Sequence, residues 1–538
     1  MKNFLIAALL GCSALTATAQ DYKVPVNNAH EAMQTGKYAP TWQSLEQHKT
    51  PEWFRNAKFG IWAHWGPQCV EGSGDWMARG MYQEGSWQYK FHREHYGHPS
   101  EVGFKDILPL FKAEKWDPDK LVEKYKRIGA QYFFVLGNHH DNFDLWDSKY
   151  QPWNSMNMGP KKDILDGWAK AAKKHGLPLG ISFHADHAWI WYEPATRYDL
   201  HGDKAGVYYD GRLTKADGKG KWWEGYDPQD LYAQNHPLSE KSWWDGSIHS
   251  QWGWENGAAQ PSEKFVDNFY DRTLDAINRY NPDLIYFDVT VLPFYPLSDC
   301  GLKIASHFYN KNPRAVMFGK ILNDEQRKAL TWDVERGAPN EMVDEPWQTC
   351  NCIGGWHYNT SIYERNQYKS AASVVRQLVD IVSKNGNLLL SVPLRADGTY
   401  DEKEEAVLDG IEAWMNVNKE SIFGTRPWKI FGEGPVAEMK IALNAQGFND
   451  GMYSKLDYRD IRFNQTEKYL YATPLGWAPD GKIVIKSLAK GNPYMKKAIS
   501  SVTLLGYGKV KAQQTANGLE VTLPKPTNEI APVLKIKK

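Results

Sequence analysis

Four short blocks place chemically capable side chains directly after apolar runs. Lys58-Phe59-Gly60-Ile61-Trp62-Ala63-His64-Trp65-Gly66 puts His64 after the first run, and Gly137-Asn138-His139-His140-Asp141 puts two imidazoles after the second. His184, Asp186 and His187 follow a third, and Pro282-Asp283-Leu284-Ile285-Tyr286-Phe287-Asp288 ends a fourth in a carboxylate. Imidazoles and carboxylates together can bind zinc, move protons or hold the hydroxyls of a polyol. No HExxH spacing occurs, and the adjacent His139 and His140 are expected on opposite sides of the chain, which weakens the zinc reading. A carboxylate ending a buried strand is costly unless it is paired or used. One chemistry that uses it is glycoside hydrolysis, which needs two carboxyl groups flanking one bond.

Such residues need a scaffold that holds several strand ends together. Between about residues 50 and 420, apolar runs at 59–63, 132–136, 179–183, 284–287, 315–318 and 388–392 alternate with amphipathic stretches at 118–128, 164–175, 262–280, 302–310, 368–383 and 402–417. Near-continuous apolar strands separated by helices imply a parallel sheet, and this length suits a (β/α) barrel of the eight-stranded, TIM-like kind. In that architecture the site lies at the C-terminal ends of the strands, where the four blocks sit. Residues 192–260 break the alternation and are rich in Gly, Asp and Trp (Trp222, Trp223, Trp243, Trp244, Trp252, Trp254). They are expected to form a long loop over the barrel mouth. After Pro427 short strands at 468–472, 482–485, 501–505, 519–523 and 531–536, with turns such as Pro479-Asp480-Gly481, imply an antiparallel β-sandwich. The expected division is a signal segment at 1–19, a barrel at 20–426 and a sandwich at 427–538.

Composition narrows the partner. Lys+Arg and Asp+Glu both number 64, so there is no basic excess to neutralise phosphates, and nucleic acid is not the expected partner. The chain holds 24 Trp and 29 Tyr; such rings stack on the apolar faces of sugars or fill large cores. Lys2, the apolar run from Phe4 to Leu15 and Ala17-Thr18-Ala19 form a signal-peptide pattern, with cleavage expected after Ala19 and export to the periplasm or beyond. Lipidation at Cys12, in Leu9-Leu10-Gly11-Cys12, is the lesser reading. The run is too short to span a membrane, and no transmembrane segment is expected. Cys69, Cys300, Cys350 and Cys352 remain, without tandem CxxC pairs, leaving room for one disulfide but no structural zinc site.

The K-F-G-I-x-x-H-W-G block, the H-H-D block, the strand ending in Asp288 and Ile422-Phe423-Gly424-Thr425-Arg426-Pro427-Trp428 together resemble glycoside hydrolase family 29, the retaining exo-α-L-fucosidases, over nearly the whole mature length. The resemblance implies a cofactor-free hydrolase of fucosylated oligosaccharides or polysaccharides. It implies Asp288 as nucleophile, with His64, His139 and His140 on the sugar hydroxyls. Asp75-Trp76 stands where the family often has Glu-Trp, and His184 stands near a position often held by tyrosine; with Trp356 these complete the expected sugar contacts. Gln348, in Pro346-Trp347-Gln348, falls where many relatives carry an acidic acid/base, and an amide cannot deliver a proton. These departures leave methyl-fucose, L-galactose and a catalytically silent sugar-binding protein as rival readings.

The second carboxyl is assigned to Glu335. A helix, the 315–318 strand and a short connection separate it from Asp288, which places it on the loop after the next strand. A retaining enzyme needs its carboxyls about 5–5.5 Å apart. Trp332 offers an aromatic wall and Gly337 a tight turn, whereas a surface pair with Arg336 is the bland alternative. Glu345, nearest to Gln348 in sequence, is the competing acid.

Overall fold

The computed structural model describes residues 21–240, 253–439, 445–495, 498–526, 528 and 530–538. The expected signal segment, Cys12, Trp243, Trp244 and Trp252 lie outside them. Eight parallel strands close into a barrel in chain order: β1 (Phe59–Ala63), β2 (Tyr132–Asn138), β3 (Leu179–Phe183), β4 (Leu284–Phe287), β5 (Val316–Gly319), β6 (Thr331–Glu335), β7 (Trp347–Cys352) and β8 (Gly386–Ser391). Every residue of β1–β5, β7 and β8 is buried, which explains the near-continuous apolar composition of β1–β5 and β8. Gly60 is required where β1 meets β2, because a Cβ there would lie 2.4 Å from the Tyr132 ring.

Helices wrap the barrel and start on the caps the sequence provides. Asp117 caps Pro118–Arg127, Asp163 caps Ile164–Lys174, Ser262 caps Glu263–Tyr280 and Ser370 caps Ala371–Ser383, each through its side chain. Asp401 and Glu404 form a capping box on Glu402–Asn418.

Two barrel strands were not foreseen. β6 reads Thr-Trp-Asp-Val-Glu and β7 reads Trp-Gln-Thr-Cys-Asn-Cys, so neither is an apolar run. They are buried because their polar groups satisfy one another: Tyr132 Oη donates to Gln348 Oε1 at 2.9 Å, and Gln348 Nε2 donates to Asp333 Oδ1 at 2.9 Å. Glu335 therefore ends a strand of its own instead of lying on a loop, and β5 stands between its strand and β4.

Beyond the barrel, β9 (Arg426–Glu433), β10 (Ile461–Gln465), β11 (Tyr469–Pro474), β12 (Lys482–Ile485), β13 (Val502–Leu504), β14 (Gly508–Gln514), β15 (Leu519–Thr522) and β16 (Leu534–Lys537) form an antiparallel sheet, ordered β12-β15-β14-β13-β16-β11-β10-β9. Ile461 and Phe463 at one end share a core with Ile483, Ile485 and Val521 at the other, so the sheet folds over itself as a sandwich. β9, β10 and β14 escaped the sequence reading because polar residues interrupt them.

The aromatic content serves mainly as packing. Nine tryptophans, including Trp62, Trp65, Trp146, Trp168 and Trp347, are among the largest fully buried side chains. In the long loop, Trp223 and Trp254 are also buried, while Trp222 is exposed. Among the described residues, Cys69, Cys300, Cys350 and Cys352 are all free and buried. Among the described residues, no helix is long and apolar enough to cross a membrane.

Candidate active site

A cavity of about 520 Å³ opens at the C-terminal ends of the strands. It is lined by His64, Asp75, Trp76, His139, His184, Asp288, Glu335 and Trp356, which bring together all but one of the expected site residues. Lys320, Trp62, Tyr286, Gln446 and Phe448 line it as well and were not foreseen. Of the long loop, Gly253 and Asn256 reach the cavity. Trp254 between them stacks on His187, with ring centroids 5.6 Å apart.

The exception is His140. A register shift between Leu136 and Asn138, followed by a turn, sends the chain off the end of β2, and the two imidazoles come to lie 4.5 Å apart instead of diverging. His139 faces the cavity, while His140 lies fully buried with Nε2 3.1 Å from Asp288 Oδ2 and Nδ1 2.8 Å from the His184 carbonyl. His140 thus supports the carboxylate. Asn138 ties the two strand ends together, its Oδ1 accepting from the backbone N–H of both His184 and Ala185 at 3.1 Å.

Asp288 is the first residue beyond β4, and Lys320 the first beyond β5. Lys320 Nζ donates to Asp288 Oδ1 and, at 2.7 Å, to Glu335 Oε2. Two carboxylates on one ammonium lie within about 5–6 Å of each other. Burial opposes the charge on Asp288, yet Lys320 and the His140 hydrogen bond outweigh it and hold the carboxyl well below its ordinary range. By the same pairing, and against burial, Lys320 is held well above the ordinary lysine range.

The imidazoles are poised differently. Burial, reinforced by neighbouring histidines, lowers His64 and His139 well below the usual histidine value; burial also lowers His184, with Asp288 partly opposing it. At neutral pH these rings are uncharged, each with one donor and one acceptor nitrogen. Among the described residues, no side-chain nitrogen of His64 or His184 has a hydrogen-bond partner, although both rings line the cavity. His139 Nδ1 is 2.6 Å from Gln68 Nε2, and Asp75 Oδ1 is 2.7 Å from His357 Nδ1. Side chains able to bind a metal do converge: His64, Asp75, His139 and His357 place ligand atoms within 4.8 Å of one another, as do His139, His140 and His184. These hydrogen-bonding groups equally suit the hydroxyls of a sugar, with Trp62, Trp76, Tyr286 and Trp356 as apolar walls.

Two competing assignments are resolved by position. Gln348 lies inside the barrel between Asp333 and Tyr132 and does not line the cavity, so it leaves no gap at the mouth. Glu345 is exposed, two residues before β7 begins, next to Val343 and Asp344, whose carbonyls accept from Asn385 just before β8. It therefore sits at the opposite end of the barrel. Arg336 does not pair with Glu335; it faces Asp450 at 3.5 Å.

The family pattern described as "Alpha-L-fucosidase" matches residues 26–420, and that described as "Alpha-L-fucosidase C-terminal domain" matches residues 449–537. Human plasma alpha-L-fucosidase is 26% identical over 519 residues, covering 93% of this chain and 90% of that one. The Thermotoga maritima alpha-fucosidase in complex with a mechanism-based inhibitor superposes with a TM-score of 0.66 at 23% identity, covering 93% of this chain and all of that one. A trapped covalent intermediate of a GH29 alpha-L-fucosidase from Bacteroides thetaiotaomicron gives 0.59 at 16% identity, covering 95% and 99%. With paired carboxylates in a histidine-lined pocket and matches spanning both domains, the chain belongs to the alpha-L-fucosidase family of glycoside hydrolases.

Proposed function

We propose that the protein removes terminal α-L-fucosyl residues from fucosylated oligosaccharides or polysaccharides, with retention, through a covalent intermediate on Asp288. The observation carrying this reading is the placement of Asp288 and Glu335 on one ammonium, within the separation a retaining glycosidase needs. In the first step the Asp288 carboxylate attacks the anomeric carbon, the glycosidic C–O bond breaks, and Glu335 gives its proton to the departing oxygen. Glu335 must exchange its bond to Lys320 for one to that oxygen. In the second step Glu335 takes a proton from water, the water oxygen bonds to the anomeric carbon, and Asp288 leaves as a carboxylate. His64, His139 and His184, with Asp75, hold the sugar hydroxyls, and the aromatic walls cover its apolar face. His140 and Lys320 orient the nucleophile.

The silent sugar-binding reading rested on Gln348, which is not in the cavity, and it loses that support. We propose also that the chain is exported, on the strength of the signal pattern at 1–19.

The test follows an aryl α-L-fucoside by NMR. The first sugar released should be the α-anomer, and full activity should survive chelation. Asp288→Gly should lose at least about 10³-fold in kcat and recover with azide, which replaces the missing carboxylate. Release of β-fucose first, or a preference for the matching α-L-galactoside, would overturn the reading.

A further inference from the structure

One side of the cavity is closed by the C-terminal domain. Residues 446–450, which follow β9 in the chain, attach to the end of β6 and to Lys320. Gln446 Oε1 accepts from the Glu335 backbone N–H at 3.1 Å, and its Nε2 donates to the carbonyls of Lys320 at 3.0 Å and Asp333 at 2.8 Å. Three residues on, Asn449 Oδ1 accepts from the Ala338 N–H and its Nδ2 donates to the Ala338 carbonyl, each at 3.1 Å. The Asp450 N–H donates to the Arg336 carbonyl at 3.1 Å.

Between these anchors stands Phe448. Its backbone is left-handed, at φ +51°, a conformation that a bulky residue rarely adopts. The residue is 55% exposed and lines the cavity, and the Arg336 guanidinium lies 5.7 Å from the centroid of its ring. Ile321, beyond β5, also lines the cavity and is 62% exposed. Large apolar side chains this exposed gain little from folding, so anchoring one in a strained backbone at a cavity rim points to a ligand.

We propose that Phe448 and Ile321 form the binding site for the sugar from which fucose is released, a hexopyranose whose apolar face stacks on the Phe448 ring. This rests on the assignment of Glu335 as the acid: the oxygen it protonates belongs to the leaving sugar, so the wall on the Glu335 side is the one that sugar meets. The anchoring of Gln446 to Glu335 fixes that wall relative to the acid. The C-terminal domain is then part of the active site and selects among fucosylated glycans.

The experiment compares α-L-fucosyl fluoride, whose leaving group has no ring, with a panel of α-L-fucosyl disaccharides linked to galactose or N-acetylglucosamine. In the full chain, Phe448→Ala should lower kcat/KM on the preferred disaccharide about tenfold, chiefly through KM, and change the fluoride by less than about twofold. Phe448→Tyr should restore the disaccharide rate. Phe448→Asn, which tolerates the left-handed backbone, should melt no lower than the parent yet show the same selective loss. Equal losses on fluoride and disaccharide, no loss anywhere in the panel, or a parent enzyme that cleaves only the fluoride would each overturn the proposal. Failure of the underlying reading looks different: a Glu335→Ala variant that still cleaves disaccharides removes the acid, and a parent enzyme inactive on the fluoride removes the fucosidase.

Discussion

Lys320 decides the protonation state of the nucleophile. A buried carboxylate would ordinarily be raised, yet the ammonium and His140 hold Asp288 down, so it stays ionised as pH falls below the normal carboxylate range. The acidic limb of kcat/KM attributable to Asp288 should therefore lie below that range. In Lys320→Met burial is no longer opposed by the ammonium, and the limb should move to higher pH, with kcat falling about 10²-fold. A limb that stays in place in Lys320→Met would show that Lys320 does not set the nucleophile's charge. His64, His139 and His184 should not contribute an inflection near pH 6–7, because burial holds each of them well below the usual value.

At the scale of elements, the barrel separates Glu335 from Glu345. β6 carries Glu335 to the mouth, whereas Glu345 precedes β7 at the other end. Glu335→Ala should cripple hydrolysis of natural glycans by about 10²–10⁴-fold while sparing the first step with activated aryl fucosides, whose leaving groups need no proton. Glu345→Ala should behave as the parent on both. The reverse pattern would place the acid at the other end of the barrel and rule out Glu335. The polar composition of β6 and β7 belongs to this scale too, since the Asp333–Gln348–Tyr132 chain is satisfied only once the barrel closes.

Across the whole molecule, barrel and sandwich are joined by a buried charge cluster. Asp380, on the helix before β8, accepts from Arg462 of β10, from Lys384 at 2.7 Å and from Tyr453 at 3.1 Å. Burial would raise Asp380, but Lys384 and Arg462 together bring it down to about 2. Lys384 moves downward, because its own burial and the like charge of Arg462 outweigh the shared carboxylate. Since the folded carboxyl is depressed, its contribution is present above the unfolded value of about 4 and is lost as pH falls toward 2. Arg462→Met should cost about 3 kcal/mol at neutral pH and flatten the acid dependence of the melting temperature between about pH 4 and 2. An unchanged melting curve in Arg462→Met would mean that the cluster does not join the domains.

The sequence by itself determined the barrel class, six of its strands, the Asp288 strand end and the three imidazole blocks, because apolar runs with polar ends keep their meaning wherever they fold. Lys320 carried the same signal, a charged residue just after Phe318-Gly319, and was legible in principle. What the tertiary structure alone decided were the pairings: that His140 backs Asp288, that Gln348 lies inside the barrel, that Glu335 and Asp288 share one ammonium across β5, and that Gln446 and Phe448, more than 100 residues after Glu335, reach the same cavity. Distances between strand ends are set by barrel closure and domain docking, which bring together residues that no local spacing relates.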